Sequence, residues 1–285
     1  MQAIWPFIVL ARPKHWLKNV LIFVPLLYAH KLFEPLLLRT TVLTFVAFCL
    51  LSSAVYVIND IVDSARDRQH PVKSRRPIAA GQVGRGQAVC FAAALFAAGF
   101  ALPLFGGGTD LILLFAACYV LLNLAYSFWL KHVAIVDCFC IAAGFVLRIY
   151  AGGAASGDAI TEWLFLTMAA ASLFMAFGKR CGEMLHVKDI DKTRTVLRRY
   201  NVGFLNGMIF VCAGLAIIFY ALWAMANDVR MVYTVPFVIF IVCRYLLNLH
   251  SKTSQGDPTS VILSDKVLLA AVGIFGVVSV ALLYS

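Results

Sequence analysis

Nine stretches of mostly apolar residues, separated by short polar breaks, make up most of the chain. A helix needs about 20 such residues to cross the hydrocarbon core of a bilayer, so each stretch is predicted to be a membrane-spanning helix. The first stretch is short, and the amphipathic segment Ile4–Trp16 extends it on its N-terminal side. The predicted spans are Leu17–Lys31, Thr40–Asn59, Gln87–Phe105, Asp110–Leu130, Val133–Gly152, Ile160–Gly178, Phe204–Ala226, Met231–Leu249 and Lys266–Tyr284.

The overall composition agrees with this pattern. Of the 285 residues, 62% are hydrophobic and 13% are charged, and the mean hydropathy is +0.88. Soluble domains are about 45–50% apolar and about 25% charged. The composition therefore excludes a soluble enzyme, a disordered chain and a coiled coil, and it favours one all-α polytopic membrane domain over residues 1–285.

The basic residues predict the orientation in the membrane. Of the 24 lysines and arginines, 20 are assigned to one side of the membrane, in the N-terminal segment, in alternate connections or in the adjoining spans, and the other four are Lys31, Arg39, Arg148 and Arg230. The positive-inside rule then places the N-terminus in the cytoplasm and the C-terminus outside. Because topology accounts for the net charge of +10, no nucleic-acid partner is expected.

Two of the predicted cytoplasmic connections are long and polar, residues 61–86 and 179–203. Transporters often place their polar groups at the bilayer midplane, in broken helices. Here the polar groups gather at one membrane face, which suits chemistry between a water-soluble phosphate compound and a lipid. Seven of the eight cysteines lie within apolar runs and Cys181 in the second loop, without paired CxxC spacing, so buried thiols are expected rather than disulfides or zinc.

The first of these connections follows a set of acidic residues. Asn59, Asp60, Asp63 and Asp67 have the spacing NDxxDxxxD, which places them within an arc of about 100° on one helical face. Carboxylates this close repel one another unless a cation lies between them, and an all-oxygen ligand set suits Mg²⁺. Mg²⁺ also accepts phosphate oxygens, so a phosphorylated ligand is predicted. The plain alternative is a solvated helix end with ordinary surface ion pairs.

Basic side chains follow the acidic residues directly and supply donors for phosphate. They are Arg68, His70, Lys73, Arg75 and Arg76.

The string NDIVDSARDRQHPVKSRRPIAAG, residues 59–81, resembles the first aspartate-rich motif of the UbiA-type prenyltransferase superfamily, whose members have nine transmembrane helices. In its full length it is similar to the decaprenyl-phosphate phosphoribosyltransferase branch. Three further segments carry the same resemblance: RPKHWLKN at Arg12–Asn19, the segment Tyr126–Arg148, and FGKRCGEM at Phe177–Met184. The DxxxD motif that aromatic prenyltransferases carry after the sixth span is absent from this sequence, and the segment there is basic.

The resemblance implies roles for particular residues. Asn59, Asp60, Asp63 and Asp67 would hold Mg²⁺, and Asp63, Asp67, Lys73 and Lys179 would be catalytic. Substrate would be bound by Lys18, Arg68, His70, Arg76, Tyr126, Lys131, Asp137, Arg180 and Glu183.

Three residues have further expectations. Asp137 lies inside a predicted span, where an acid needs a partner, and Lys131 and Lys18 are the candidates. Glu183 would bind a ribose hydroxyl or orient Arg180. Arg148, also within a span, is expected to be structural.

The implied activity is transfer of 5-phosphoribose from 5-phosphoribosyl 1-diphosphate to a polyprenyl phosphate in the plasma membrane, with the active site facing the cytoplasm. The product would be a lipid-linked pentose donor for the cell envelope, as in arabinogalactan synthesis, and an oligomer is possible. An aromatic prenyltransferase would share the first motif but require the second. A transporter or lipid-binding scaffold would leave the acidic residues unexplained.

Overall fold

The computed structural model describes residues 4–69, 73–186, 195–249, 261–262 and 264–285, and all regular elements in these ranges are helical. The α-helices are α1 Trp5–Ala11, α2 Phe23–Tyr28, α3 Pro35–Asp67, α4 Arg85–Phe105, α5 Asp110–Phe128, α6 Val136–Ser156, α7 Glu162–His186, α8 Val202–Asn227, α9 Val235–Leu249 and α10 Lys266–Tyr284. The 3-10 helices are Pro13–Ile22, Lys73–Arg75, Leu130–His132, Thr195–Arg199 and Val229–Thr234.

Eight helical stretches in the described part of the chain are long and apolar enough to cross a membrane: α3 to α8, the 3-10 helix Val229–Thr234 continued by α9, and α10. They correspond to eight of the nine predicted spans. The predicted first span, Leu17–Lys31, is divided between the 3-10 helix Pro13–Ile22 and the six-residue α2. Pro25 lies inside α2 and has no backbone N–H to donate, which disfavours a long regular helix there. The count of nine spans is therefore not confirmed, whereas the all-α membrane fold is.

The two predicted loops begin later than expected, because the preceding helices continue beyond their apolar stretches. Helix α3 is 33 residues long and ends at Asp67, so the whole acidic motif is helical. Helix α7 continues to His186, which places Lys179–Glu183 on a helix rather than in a loop. Cys181 is accordingly a fully buried helical residue. Residues 187–194 of the predicted second loop lie outside the described residues.

The chain divides into two compact units. The first comprises Met1–Ser127 and Leu147–Ala159, and the second comprises Phe128–Val146 and Ile160–Ser285, so that α6 begins in the second unit and ends in the first. Within the first unit, Ile22, Phe48, Leu51 and Tyr119 belong to one buried apolar cluster. Within the second, α7, α8 and α9 contribute Phe177, Leu205 and Tyr245 to another.

A polar seam joins the N-terminal segment to α3 inside the first unit. Trp16 Nε1 donates to Ser53 Oγ at 3.0 Å, and Ser53 Oγ donates to the Ala11 carbonyl oxygen at 2.7 Å. Asn19 Nδ2 lies 3.2 Å from Cys49 Sγ one turn earlier on α3. These contacts lay the N-terminal segment along α3 and bring Arg12 beside the acidic motif.

Arg148 is buried in the same unit and has the structural partners expected of it. Its Nε donates to Asn19 Oδ1 at 2.7 Å and its Nη2 to the Tyr119 hydroxyl at 2.9 Å. Gly152, one turn further along α6, lies against the backbone of Ile22, where an added Cβ would be 2.2 Å from the carbonyl oxygen. Only glycine permits this approach.

Candidate active site

The acidic motif occupies the last turns of α3. Asp60 and Asp67 are 3% and 4% exposed, whereas Asn59 and Asp63 are half-buried. Burying carboxylates is costly unless charged or hydrogen-bonding partners accompany them. The partners of Asp60 and Asp67 are arginines.

Arg76 binds both buried carboxylates with a single nitrogen atom. Its Nη1 is 2.9 Å from Asp60 Oδ1 and 2.7 Å from Asp67 Oδ2. The two acids therefore lie on one face of α3, as their spacing predicts. After Arg76 the chain stays beside α3, since Ile78 and Val83 belong to the same buried apolar cluster as Val57.

Arg12 approaches the same carboxylate from the N-terminal segment. Its Nη2 is 2.5 Å from Asp60 Oδ1, and its guanidinium carbon lies 4.9 Å from the centre of the Tyr56 ring. The Arg12 backbone is left-handed, with φ of 51°, at the junction between α1 and the following 3-10 helix. The sequence prediction did not include Arg12 among the site residues, although RPKHWLKN begins with it.

The other predicted basic residues of the first unit differ in exposure. Arg68 and Lys73 are exposed, and Lys18 is half-buried. Arg85, which the sequence prediction also missed, donates to Ser64 Oγ at 3.0 Å on the helical turn between Asp60 and Asp67. His70 lies outside the described residues.

The donor set of the motif fits a hard cation in its chemistry. Its carboxylates and amide offer oxygen ligands, which Mg²⁺ prefers, and two of the carboxylates already converge on one cationic nitrogen. No three carboxylate, imidazole or thiolate groups among the described residues are arranged as a ready metal site. The structure thus brings together Asp60, Asp67 and Arg76, with arginine nitrogens at two of the predicted metal-ligand carboxylates.

A second group of predicted residues assembles within the other unit, around Asp137 at the start of α6. Arg180 Nε donates to Asp137 Oδ2 at 2.5 Å, and the Tyr200 hydroxyl donates to Asp137 Oδ1 at 2.7 Å. The expectation that Lys131 or Lys18 pairs with Asp137 is therefore wrong. Arg180 and Asp137 are both 0% exposed, and Arg180 Nη1 also donates to Glu183 Oε2 at 2.6 Å.

Tyr200 is the residue of this group that sequence reasoning missed. Its hydroxyl accepts a hydrogen bond from the Ile135 backbone N–H at 2.6 Å while donating to Asp137. Ile135 has a φ of 69°, a strained conformation for a β-branched residue. Burial, and next the hydrogen bond to Asp137, raises the pKa of the Tyr200 phenol, so the phenol keeps its proton and remains a donor.

The remaining predicted residues lie at helix ends or turns. Lys179 is half-buried on α7, Tyr126 is half-buried on α5, and Lys131 lies half-buried in the 3-10 helix Leu130–His132. Each of the three makes at least one polar or ring interaction.

Residues 20–264 match the UbiA prenyltransferase family, which is most of the chain. The chain belongs to the UbiA prenyltransferase family. Among its UbiA relatives, the decaprenyl-phosphate phosphoribosyltransferase of Corynebacterium glutamicum is 36% identical over 280 residues, covering 94% of this chain and 84% of the relative. The protein of the same name from Mycolicibacterium smegmatis is 34% identical and covers 93% and 89%.

The fold of this UbiA family member is similar to that of a solved structure. A UbiA homolog from Archaeoglobus fulgidus, bound to GPP and Mg²⁺, superimposes with a TM-score of 0.76 over 98% of both chains. At 18% sequence identity, this similarity establishes the shared fold alone.

Proposed function

We propose that this UbiA family member transfers 5-phosphoribose from 5-phosphoribosyl 1-diphosphate to a polyprenyl phosphate and releases diphosphate. The observation that carries the proposal is the 34–36% identity, over more than nine-tenths of this chain, to proteins named decaprenyl-phosphate phosphoribosyltransferase. The arginine-bound carboxylates of α3 support it, because a substrate with several phosphate groups needs a site rich in cations.

Mg²⁺ is the proposed cofactor, held by oxygen atoms of Asn59, Asp60, Asp63 and Asp67. Bound there, it would act as a Lewis acid and offset the charge of the diphosphate. Lys73 and Arg76, together with the exposed Arg68 and with His70, are proposed to bind the phosphate groups of the donor. Lys18 and Tyr126 in the first unit, and Lys131 in the second, are also proposed to bind substrate.

The buried group in the second unit has a different role in this proposal. Arg180 has no exposed surface; it donates to Asp137 and Glu183, and Tyr200 donates to the other oxygen of Asp137. A guanidinium without exposed surface is placed to orient the side chains around it rather than to contact substrate. We therefore assign substrate contact to Glu183 and Lys179, which are half-buried, and assign Arg180 and Asp137 to holding the end of α7 against the start of α6.

The proposed reaction does not require a strong general base from the protein. A phosphate monoester has a second pKa of about 6, so the polyprenyl phosphate is largely dianionic at neutral pH and needs no strong base. One of its oxygens attacks the anomeric carbon, inverts it, and diphosphate leaves. The side chains must hold two mutually repelling anions in line and stabilise the departing diphosphate, which arginine and lysine donors can do.

The membrane supplies the acceptor. The eight apolar helical stretches within the described residues support a multi-pass membrane protein, and a bilayer accommodates a polyprenyl chain. We place the protein in the plasma membrane with its site on the cytoplasmic side, where soluble phosphoribosyl diphosphate is accessible. The product would be a lipid-linked pentose donor for the cell envelope.

A transfer assay tests the proposal. The purified chain is incubated with Mg²⁺, labelled phosphoribosyl diphosphate and a polyprenyl phosphate, and label is expected in the organic-extractable lipid. Omitting the polyprenyl phosphate should leave the label in water. Transfer only from a prenyl diphosphate to a phenol would instead establish an aromatic prenyltransferase, and the absence of either transfer would favour a non-enzymatic role.

A further inference from the structure

We propose that helix α1 lies flat in the boundary between lipid headgroups and acyl chains and anchors the N-terminal segment to the membrane surface. The partner of its exposed face is a phospholipid bilayer, and the proposal does not depend on the proposed reaction. The sequence pattern predicts instead that the segment Ile4–Trp16 extends the first span.

Helix α1 runs across the ends of α3 and α4 instead of continuing along α3. The 3-10 helix Pro13–Ile22 follows α3, but the chain turns at Arg12, whose backbone is left-handed. Arg12 reaches Asp60 on α3, whereas Phe7, five residues earlier, packs edge-on against Phe91 on α4 with ring centres 5.2 Å apart. The seven residues of α1 measure about 10 Å, close to the spacing of two packed helices and too short to cross a bilayer.

The contacts of α1 place it at the level where the apolar stretches end. Its Leu10 belongs to a buried apolar cluster with Val57 of α3 and Ala88 of α4. The predicted spans end at Asn59 in α3 and begin at Gln87 in α4, within two residues of these contacts. Helix α1 therefore lies at one face of the membrane, beside the acidic motif.

The outer side of α1 is apolar and exposed. Ile4, Trp5, Ile8 and Val9 are 65%, 66%, 44% and 43% exposed, and at 100° per residue they fall within an arc of about 140°. Leu10, on the opposite side, is fully buried. Residues 4–11 contain no charged side chain, so leaving this face in water would cost about 25 cal/mol for each Å² of apolar surface.

A lipid surface fits this face better than a second protein does. Four side chains on a seven-residue helix expose on the order of a few hundred Å², whereas a stable protein interface buries about 800 Å² on each partner. Helix α4, against which α1 packs, is open to lipid over most of its surface, since 22% of its apolar stretch is buried. The outer face of α1 continues a surface that the membrane already covers.

Two exposed side chains near this face are typical of the membrane interface. The Trp5 ring is apolar and its indole N–H can donate to a lipid oxygen, which is why tryptophan is enriched at headgroup level. Lys14 is exposed just beyond the turn at Arg12, and its ammonium group complements the negative charge of anionic headgroups. An apolar helix face with such neighbours suits the headgroup–acyl boundary.

Fluorescence quenching of Trp5 tests the proposal, with the full-length chain in nanodiscs of phosphatidylethanolamine and phosphatidylglycerol. The difference in emission between the wild type and Trp5→Phe isolates Trp5 from the other tryptophans. An interfacial helix lies about 5–10 Å into the headgroup–acyl boundary, so lipids brominated near the headgroup should quench this difference at least about twofold more than lipids brominated at the chain ends. Iodide in the buffer should quench it less than the headgroup-brominated lipids do.

Matched variants separate membrane contact from other effects. Trp223→Phe removes a tryptophan that is 4% exposed, and the emission lost with it should be insensitive to the brominated lipids and to iodide. Ile8→Asp places a charge on the outer face, so Trp5 should lose lipid quenching and gain iodide quenching. Ile8→Ala adds no charge and should keep the wild-type pattern. Size-exclusion elution of each variant reports whether it is folded.

The proposal is overturned if iodide quenches Trp5 more than either lipid does, because α1 then lies in water. Quenching that is as strong from the chain ends as from the headgroup level would place α1 in the bilayer core, and no quenching by any of the three would indicate that a second copy covers the face. Both results overturn the proposal, as does unchanged lipid quenching in folded Ile8→Asp. None of these measurements uses the transfer assay, so their failure would leave the proposed function standing.

Discussion

Arg180 and Asp137 form an ion pair at 2.5 Å in which neither side chain has any exposed surface. They are 43 residues apart in the chain and join α7 to the start of α6. Removing one member of a buried pair leaves an uncompensated charge, which costs about 3–5 kcal/mol.

We therefore expect Arg180→Met to lower the free energy of unfolding by about that amount. The double variant Asp137→Leu with Arg180→Met should recover part of the loss, because the fully buried carboxylate of Asp137 is removed as well. The free energies of unfolding of the wild type, the single variant and the double variant, measured in mixed micelles, test this expectation. Equal stability of the single variant and the wild type would contradict the enclosed pairing.

Asp63→Asn is expected to reduce turnover by at least about 100-fold, because the neutral amide is a weaker ligand for Mg²⁺ than a carboxylate. Asp63 is half-buried, so the fold should tolerate the change. Asp110→Asn, at an exposed position at the start of α5, is the matched control and should retain activity. Full activity of Asp63→Asn in the transfer assay would remove Asp63 from the proposed metal site.

Arg76→Gln is expected to make the protein respond more strongly to Mg²⁺. The arginine nitrogen occupies the same Asp60 and Asp67 oxygens that the metal would bind, so removing it should raise metal affinity. The Mg²⁺-induced rise in unfolding temperature should be larger in Arg76→Gln than in the wild type. Arg75→Gln, which changes the exposed neighbour, should behave as wild type. A smaller response in Arg76→Gln would argue against competition between arginine and metal.

Arg148→Leu is expected to destabilise the first unit by about 1–3 kcal/mol, because Asn19 and Tyr119 lose a buried hydrogen-bond partner. Arg148 makes contacts that tie α6 to the N-terminal segment and α5. Its loss should therefore lower the unfolding temperature while the KM for the donor changes little. An increase in KM without a loss of stability would indicate a role in substrate binding instead.

Acid should weaken the junction between α9 and α10. Hydrogen bonds from Arg244, and next from Asn248, hold the pKa of Asp265 well below its ordinary value of about 4. Because the folded-state pKa is lowered, the stabilisation by Asp265 is fully present above about pH 4 and is lost as the pH falls further. The difference in free energy of unfolding between wild type and Asp265→Asn should thus be constant from pH 7 to about 5 and shrink below about pH 4. A difference that stays constant to pH 3 would refute this.

Much of the candidate site follows from local spacing. Asp60 and Asp67 share a face of α3 because seven residues span almost two helical turns, and Glu183 reaches Arg180 because three residues separate them on α7. The helix ends were predicted less well. Hydropathy indicates where the apolar part of a helix ends. The helix itself can continue beyond that point when its polar residues have suitable spacing, as α3 and α7 do.

Partners of buried charges were predicted least well. The sequence suggested Lys131 and Lys18 as partners of Asp137, yet in the structure the Asp137 carboxylate accepts hydrogen bonds from Arg180 and Tyr200. An acid within a span requires some hydrogen-bonded or charged partner, but the requirement does not name which of many basic residues supplies it.

The sequence by itself determined that this protein is a bundle of membrane helices with an acidic face at the end of one of them. Hydropathy and helical periodicity are local properties, so they can be calculated from neighbouring residues. Only the tertiary structure decided that Arg12, 48 residues from Asp60, and Arg76, 16 residues from it, meet on the same carboxylate oxygen. These contacts depend on the path of the chain between the residues. The packing of distant segments decides which of the many basic side chains reach the Asp60 carboxylate.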